Sequence, residues 1–362
     1  MNEYNIAVLP GDGIGHEVMT VTLDVMQQLS KKQGVKLHFT TYAAGAQHYQ
    51  DTGVALPDDV LRHCERADAI LFGAMGLPHV RYPDGTEIIP QLDLRFHFDL
   101  YAGVRPIKTF PGLITPLSHP KAQQIDLVLV RESTEGLFYA RGRGQAVGDE
   151  EVLDTMKITR TGTARVCEFA FALAQTRKAR GLPGRVTCVD KANVFMSMAF
   201  FRKIFEEVAA KHGGIAFDSA YVDAMALNLV MKPWNYDVLV TENMFGDILS
   251  DLIAALVGGM GMAPSADIGD KHALFQPAHG TAPDIAGQGK ANPTAMLLSA
   301  AMMLEWLGHR HSDVHAQQAG VALENAIQQI FAQRCVQPYE FGGTDGTKAI
   351  AGAVAAQLSG QH

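Results

Sequence analysis

Short apolar runs alternate with longer amphipathic segments along most of the chain. Runs of four to eight residues with this character are typical of strands, and apolar positions spaced three and four apart are typical of helices. The pattern predicts strands over 5–9, 36–42, 68–72, 125–131, 185–190, 215–222 and 237–241, and helices over 15–32, 163–180 and 195–212. Strands separated by helices predict an α/β protein with helices packed on both faces of a sheet.

The length of 362 residues favours two domains. No internal repeat or low-complexity linker divides the chain, so we expect it to cross between the domains more than once. The glycine-rich segment 258–261 is a candidate crossing. A glycine-rich helix C-terminus explains this segment equally well.

Composition and charge narrow the class of protein. The chain has 30 Lys and Arg against 38 Asp and Glu, a formal charge of −8, and 47% hydrophobic residues. This excludes a disordered or collagen-like protein, and an acidic balance without basic runs argues against nucleic-acid or anionic membrane partners. The apolar stretch 252–264 is too short to span a bilayer. The widely spaced cysteines and a start without signal-peptide character predict reduced thiols and a cytoplasmic location.

The segment PGDGIG at 10–15 follows a predicted strand and opens a predicted helix. It resembles a dinucleotide-binding turn but lacks the later glycine, and no acidic residue ends a second strand at the expected distance. A turn that needs positive φ explains it as well.

Three arginines from different predicted elements, Arg95, Arg105 and Arg131, could converge on one ligand. Guanidinium groups hold small carboxylates in a bidentate manner and stay charged. Arg131 ends an apolar strand, where open α/β sheets place ligand groups. A surface salt bridge is the alternative for each arginine taken alone.

A predicted strand and turn precede Asp247 and Asp251, which are four residues apart on one helix face. Their charges repel unless a cation lies between them, and carboxylate oxygens suit Mg²⁺ or Mn²⁺. The alternative is a solvated acidic face near a helix N-terminus. Lys191 follows a predicted strand, where it could transfer a proton or simply be exposed.

Seven segments together resemble the β-decarboxylating dehydrogenases, the family of isopropylmalate, isocitrate, homoisocitrate and tartrate/D-malate dehydrogenases. The resemblance covers nearly the whole chain, in order. The segments are LPGDGIG, DLYAGVRP, VRESTEG, VDKANV, YVDAMA, TENMFGDILSDL, and HGTAPDIAG with the following ANPTA. Such an ordered set is far more specific than any one motif.

The resemblance implies a two-domain α/β fold of the isocitrate/isopropylmalate dehydrogenase type. Residues 1–100 and 255–362 would form the first domain, and residues 101–254 the second domain with the dimer interface. The NAD site of this family is not a Rossmann site, which accounts for the incomplete fingerprint at 10–15.

The resemblance also implies roles for the site residues. Arg95, Arg105 and Arg131 would bind the carboxylates of a malate-like substrate, a hydroxy-dicarboxylate or hydroxy-tricarboxylate. Asp247 and Asp251, with Asp223 from the partner subunit of a homodimer, would bind Mg²⁺ or Mn²⁺ as a Lewis acid. Lys191, also from the partner, would relay the C2 hydroxyl proton, so a monomer should be inactive. Hydride transfer to NAD would precede loss of CO₂.

The loop that resembles the adenosine site predicts the choice of cofactor. Its residues are His279, Gly280, Thr281, Ala282, Pro283, Asp284, Ile285 and Asn292. The carboxylate of Asp284 can accept a hydrogen bond from a ribose hydroxyl but would repel a 2′-phosphate. NADP-using relatives have Lys-Tyr at this point, so NAD is the expected cofactor.

Departures from the family pattern leave the substrate open. The usual proton-donating tyrosine falls at Phe138, and either the adjacent Tyr139 replaces it or the proton comes from elsewhere. Gln91 and Leu92 stand where relatives read the substrate's γ-group, and Gln91 is too polar for a purely apolar pocket. Pro90 suggests an altered helix there. Isopropylmalate leads, with tartrate/D-malate and isocitrate/homoisocitrate as alternatives.

A protein of another class, a non-catalytic regulatory subunit with the same fold, is the remaining alternative. Such a subunit would be expected to lose Lys191 or a metal-binding aspartate, and this chain has them all.

Overall fold

The structure is a computed structural model that describes residues 2–360. Its strands are β1 (Glu3–Gly11), β2 (Lys36–Thr41), β3 (Ala69–Ala74), β4 (Ala102–Lys108), β5 (Asp126–Glu132), β6 (Gln145–Val147), β7 (Glu151–Leu153), β8 (Arg185–Asp190), β9 (Ala216–Tyr221), β10 (Val238–Thr241), β11 (Pro264–Ile268) and β12 (Ala273–Pro277). Its α-helices are α1 (Gly15–Gln33), α2 (Ala46–Thr52), α3 (Asp58–Arg66), α4 (Pro90–His97), α5 (Arg160–Ala179), α6 (Met196–Ala209), α7 (Val222–Met231), α8 (Asn243–Leu256), α9 (Thr294–Arg310), α10 (Val314–Ala332) and α11 (Thr347–Ser359).

One ten-stranded sheet runs through the molecule in the order β2-β1-β3-β12-β11-β4-β5-β10-β8-β9. The strands at both ends of this order pair in parallel. In the middle, β11 is antiparallel to β12 and β4, and β4 is antiparallel to β5. Strands β6 and β7 form a separate antiparallel hairpin.

Both faces of this sheet are covered by helices. Successive residues of a strand point to opposite faces. Accordingly, Val128 and Val130 of β5 belong to an apolar cluster that includes α5 and α6. Leu127 and Leu129 belong to a second cluster that includes α7 and α8. The predicted α/β architecture with helices on both faces is therefore confirmed.

The strands expected from the hydrophobic pattern all exist, with boundaries shifted by no more than a few residues. The antiparallel strands β4, β11 and β12 were not expected. Gly103 and Pro106 interrupt the apolar pattern of β4, and Asp267 interrupts that of β11. A strand stabilised mainly by its neighbours can carry such residues, which sequence periodicity alone reads as loop.

The strand order separates the chain into the same two parts as the predicted domains. Strands β1, β2, β3, β11 and β12 come from 1–100 and 255–362, and the other strands of the large sheet come from 101–254. The two-domain division stays a prediction, which this order supports. Gly258 and Gly259, with φ of 121° and 126°, follow the end of α8 and lead toward β11.

Cys64, Cys167 and Cys188 are buried and Cys335 is exposed, and all four are free thiols. Among the helices of residues 2–360, none has the length and apolar character needed to cross a membrane.

Candidate active site

Several predicted site residues lie at one edge of the sheet because four strands run in the same direction. Strands β5, β10, β8 and β9 pair in parallel, so their carboxyl ends share that edge. Arg131 is the second-last residue of β5, Lys191 directly follows β8, and Asp223 follows β9 at the start of α7. Open α/β sheets bind ligands at this edge.

Arg131 is held by the first turns of α8. Its Nε and Nη2 donate to Oδ1 of Asn243 at 2.9 and 2.6 Å, and its Nη1 pairs with Asp247. Gly246 allows the close approach, since a Cβ there would lie 2.7 Å from the Arg131 side chain. Burial, together with the nearby charge of Arg95, lowers the pKa of Arg131 to about 10, against the opposing effect of Asp247. The guanidinium therefore stays charged at neutral pH.

Arg95 and Arg105 share a carboxylate that sequence reasoning did not single out. Arg95 Nε donates to Asp267 Oδ2 at 2.9 Å, and Arg105 Nη2 donates to Asp267 Oδ1 at 3.3 Å. Gln276 Nε2 donates to the same Oδ2 at 2.9 Å. Burial opposes ionisation of Asp267, but the two arginines hold its pKa below the ordinary value. The buried group is therefore a charged cluster.

A glycine makes room for these side chains to meet. In the sheet register, Gly103 of β4 lies between Asp267 of β11 and Arg131 of β5. A Cβ on Gly103 would lie 2.6 Å from Oγ of Ser133 and 3.2 Å from Oδ1 of Asp267. The absent side chain therefore leaves room for the Asp267 carboxylate and the Ser133 hydroxyl.

Asp247 and Asp251 both project from α8, as the spacing predicts. The helix begins at Asn243, earlier than expected, because Glu242 caps it by accepting hydrogen bonds from the backbone N–H groups of Met244 and Phe245. Neither aspartate therefore lies in the first turn, which weakens the alternative of acids favoured by a helix N-terminus. Burial and the charge of Asp247 raise the pKa of Asp251. This pair of carboxylates would gain from a cation.

Lys191 and Asp223 form a separate pair. Nζ of Lys191 is 2.5 Å from Oδ1 of Asp223, and this contact holds the pKa of Asp223 below its usual value. The Asp223 side chain is 67% exposed. Within residues 2–360 no three His, Cys, Asp or Glu side chains are arranged to hold a metal ion, so Asp223 is not beside Asp247 and Asp251 of the same chain.

Phe138, and not Tyr139, contacts Arg131 of the arginine cluster. The guanidinium carbon of Arg131 is 4.8 Å from the centre of the Phe138 ring. The Tyr139 ring instead lies 4.2 Å from the guanidinium carbon of Arg143 and 4.5 Å from Nζ of Lys157. A catalytic role for Tyr139 stays a prediction.

Gln91 and Arg95 are four residues apart on α4 and share a helix face. The amide oxygen of Gln91 is buried and has no hydrogen-bond partner within residues 2–360, which is costly unless a ligand or water donates to it. Leu92 is buried. Pro90 is the first residue of α4, where proline is well tolerated, so it starts this helix and does not break it.

The loop expected to bind adenosine packs against the PGDGIG turn. The backbone N–H of Ile14 donates to the carbonyl of Thr281 at 2.9 Å, and a Cβ on Gly13 would lie 2.2 Å from that carbonyl oxygen. Glu17 accepts hydrogen bonds from the backbone N–H groups of Gly287 and Gly289. The turn therefore supports the loop. Gly11 and Gly13 have positive φ values, which the tight turn requires.

Other loop residues offer polar groups suited to a nucleotide. Nε2 of His279 is buried and has no partner in the described part of the chain, and burial lowers the pKa of that imidazole. Asp284 is exposed. Asn292 is held by Glu340, which accepts from its Nδ2 at 3.1 Å. The remaining members of the predicted set, Gly280, Ala282, Pro283 and Ile285, lie in the same segment.

Sequence reasoning missed Asn243 and Asp267. Asn243 stands within a segment that carries the family resemblance and Asp267 stands between two such segments, but the contacts of both come from tertiary packing. An unexplained acid inside an apolar strand was the available signal for Asp267, since a buried charge requires a partner.

Comparison with known proteins agrees with this geometry. A family model described as isocitrate/isopropylmalate dehydrogenase matches residues 5–356. The 3-isopropylmalate/3-methylmalate dehydrogenase of Methanocaldococcus jannaschii is 40% identical over 98% of this chain and 99% of its own length. The 3-isopropylmalate dehydrogenase of Moorella thermoacetica is 38% identical over 98% of both chains. The crystal structure of isocitrate dehydrogenase from Methylococcus capsulatus covers 99% of this chain with a TM-score of 0.86 and 35% identity, and all of that chain is matched.

The chain belongs to the isocitrate/isopropylmalate dehydrogenase family. It is accordingly a decarboxylating dehydrogenase that acts on a CH–OH group of a small hydroxy acid.

Proposed function

We propose that this chain catalyses the NAD-dependent and divalent-metal-dependent oxidative decarboxylation of a (2R)-malate with a C3 substituent, 3-isopropylmalate being the leading substrate. The buried cluster of Arg95, Arg105 and Arg131 beside the Asp247–Asp251 pair carries this proposal. The relatives with 40% and 38% identity are 3-isopropylmalate dehydrogenases, which favours isopropylmalate.

The arginines would bind and orient the substrate carboxylates. Arg95 uses Nε for Asp267, and its two terminal nitrogens have no hydrogen-bond partner among residues 2–360. A carboxylate could therefore bind there in a bidentate manner. Arg131 is held by Asn243 and Asp247.

Asp223 keeps the Lys191 side chain in place, and the amine of Lys191, once it has released its own proton to solvent, would accept the proton of the C2 hydroxyl. The carboxylates of Asp247, Asp251 and the partner's Asp223 are hard oxygen donors that fit Mg²⁺ or Mn²⁺. When bound, the cation would supply Lewis-acid stabilisation of negative charge on oxygen, and NAD would supply the hydride acceptor.

A second copy of the chain would complete this site. Asp223 shares a face of α7 with three exposed apolar residues at helical spacing, which are Leu227, Val230 and Met231. Ile248, 61% exposed, lies beside Asp247 on α8, and α7 packs against α8. Exposed apolar stripes of this kind mark interfaces. A twofold dimer that covers the apolar residues of α7 and Ile248 of α8 would bring Asp223 of one subunit toward Asp247 and Asp251 of the other.

Asp284 favours NAD over NADP, because an exposed carboxylate can accept a hydrogen bond from ribose and repels a 2′-phosphate. The cytoplasmic location and the absence of nucleic-acid and membrane partners stay predictions.

A smaller or more polar substrate is the second candidate, favoured by the unpartnered amide oxygen of Gln91. A hydroxyl on C3, as in tartrate, could donate to it, whereas an isopropyl group could not. D-malate would leave room for a bridging water.

The deciding experiment assays purified protein with NAD and Mn²⁺ on 3-isopropylmalate, D-malate, tartrate, isocitrate and homoisocitrate by NADH absorbance. The highest kcat/KM is expected for 3-isopropylmalate, and Gln91→Leu should preserve or raise it. Preference for tartrate or D-malate, lost in Gln91→Leu but kept in the exposed control Gln27→Leu, would establish the second candidate. No oxidation of any of the five would refute the proposed function and favour a regulatory subunit.

A further inference from the structure

Asp267 is a charged residue within the arginine cluster that no step of the proposed reaction uses. Its side chain is fully buried, and its two oxygens accept from Arg95, Arg105 and Gln276. Because no oxygen of Asp267 is accessible, neither a metal ion nor a substrate can contact it directly. Its influence must pass through the arginines.

We propose that Asp267 is a positioning and specificity residue that matches the pocket to two substrate carboxylates and disfavours a third. This inference rests on the proposed function and deepens it.

The charges of the pocket match those of a dicarboxylate. Three guanidinium groups opposed by the one carboxylate of Asp267 leave two positive charges. The three aspartates of the proposed cation site, one divalent cation and Lys191 would together be neutral. A dicarboxylate therefore balances the pocket, and a tricarboxylate would add an uncompensated negative charge where the low local dielectric makes charge imbalance expensive.

Asp267 also helps to orient Arg95. Asp267 binds Arg95 through Nε, and the terminal nitrogens of Arg95 have no hydrogen-bond partner among residues 2–360. Arg105 is restrained further, since its Nη1 donates to the backbone carbonyls of Val104 and Ala266 at 3.2 and 3.0 Å. Arg95 is thereby the cluster member left free to bind a substrate carboxylate, in an orientation that Asp267 determines.

The test compares wild type with Asp267→Asn, which removes the charge at nearly constant shape. We expect the ratio of kcat/KM for isocitrate to that for 3-isopropylmalate to rise about tenfold or more, mainly through KM. Binding of the two acids without NAD, measured by calorimetry, should shift in the same direction. Asp267→Glu keeps the charge but displaces it, so kcat should fall while the ratio stays within about twofold of wild type.

Asp237→Asn is the matched control. Asp237 is also buried and paired with an arginine, Arg177, at 2.6 Å, but it lies at the amino end of β10, away from the site. It should lower stability without changing the ratio. If Asp267→Asn does not fold, Asp267→Ser removes the same charge with a smaller side chain.

An unchanged ratio in a folded, neutral Asp267 variant would overturn this inference while leaving the proposed function intact. A wild type without activity on any of these acids would instead refute the proposed function. Equal shifts in the Asp237 control would show a general effect of losing a buried carboxylate, and would also overturn the inference.

Discussion

The arginine cluster and the Lys191–Asp223 pair are two parts of one proposed site, yet their surroundings differ. Arg95, Arg105 and Arg131 are buried and hydrogen-bonded to Asp267, Asn243 and Asp247 of the same chain. Lys191 has a single ion-pair partner, and that partner is largely exposed. One chain thus preorganises the part that binds carboxylates, whereas the part that moves a proton is left at a surface that a second copy would cover.

Removal of divalent metal should have the largest effect. Chelation is expected to abolish activity, and Mn²⁺ or Mg²⁺ should restore it, because like-charged Asp247 and Asp251 need a cation between them. Mn²⁺ should also raise the Tm of wild type more than that of Asp251→Asn, with the exposed Asp149→Asn variant as control. Full activity after exhaustive chelation would contradict the proposed metal site.

Lys191→Met should lower kcat by about 10²- to 10⁴-fold with little change in NAD affinity, because it removes a positioned proton-transfer group. Lys203→Met, an exposed change on α6, is the control and should behave as wild type. Turnover near that of wild type would remove Lys191 from the mechanism.

Mixing two inactive variants tests whether the arginine cluster and the Lys191–Asp223 pair of one site come from different subunits. Lys191→Met and Arg131→Gln homodimers should each be inactive, but a heterodimer would contain one intact site if the two parts come from different subunits. Random exchange makes half of the dimers heterodimers, so the mixture should regain roughly one quarter of wild-type activity. A mixture as inactive as its parents, with heterodimers verified by mass spectrometry, would show that each chain carries a complete site.

Replacing Asp284 and Ile285 by Lys and Tyr should shift the kcat/KM preference from NAD toward NADP by about 10- to 100-fold, because a repulsive carboxylate becomes a phosphate partner. Gln288→Lys places a positive charge on the same loop without removing Asp284, and it should shift the preference less. Equal use of both cofactors by wild type would contradict the interpretation of Asp284.

The smallest effect is expected from Glu132, which follows Arg131 but points away from it. Burial raises the pKa of Glu132 from 4.5 to about 7, so the folded protein binds this proton more tightly than the unfolded chain. The free energy of unfolding should therefore fall as pH rises from 4.5 to 7, by up to about 3 kcal/mol for this group.

Glu132→Gln should remove that fall, as measured by urea unfolding at several pH values. The exposed Glu151→Gln variant should keep it. The same pH dependence in wild type and Glu132→Gln would mean that other groups cause it.

The inner parallel strands β3, β5, β8 and β10 were predictable because their apolar runs are buried on both faces, as in β5 with its residues Leu127 to Val130. The location of two candidate residues was also predictable, since Arg131 lies near the end of a strand and Lys191 directly follows one, at the edge where such sheets bind ligands. The antiparallel strands β4 and β11 were not, because Gly103 and Asp267 break the periodicity that marks a strand.

By itself the sequence determined the strands with apolar runs and the residue types that follow them at the sheet edge, because periodicity and chain order act locally. Only the tertiary structure decided the partners of the arginines. Asp267 is 172 residues from Arg95 along the chain. The pairing of β11 with β4 places Asp267 opposite Gly103, whose missing side chain leaves room for the Asp267 carboxylate. A buried charge needs a partner of opposite charge nearby in space, and a local sequence pattern does not specify which distant residue that partner is.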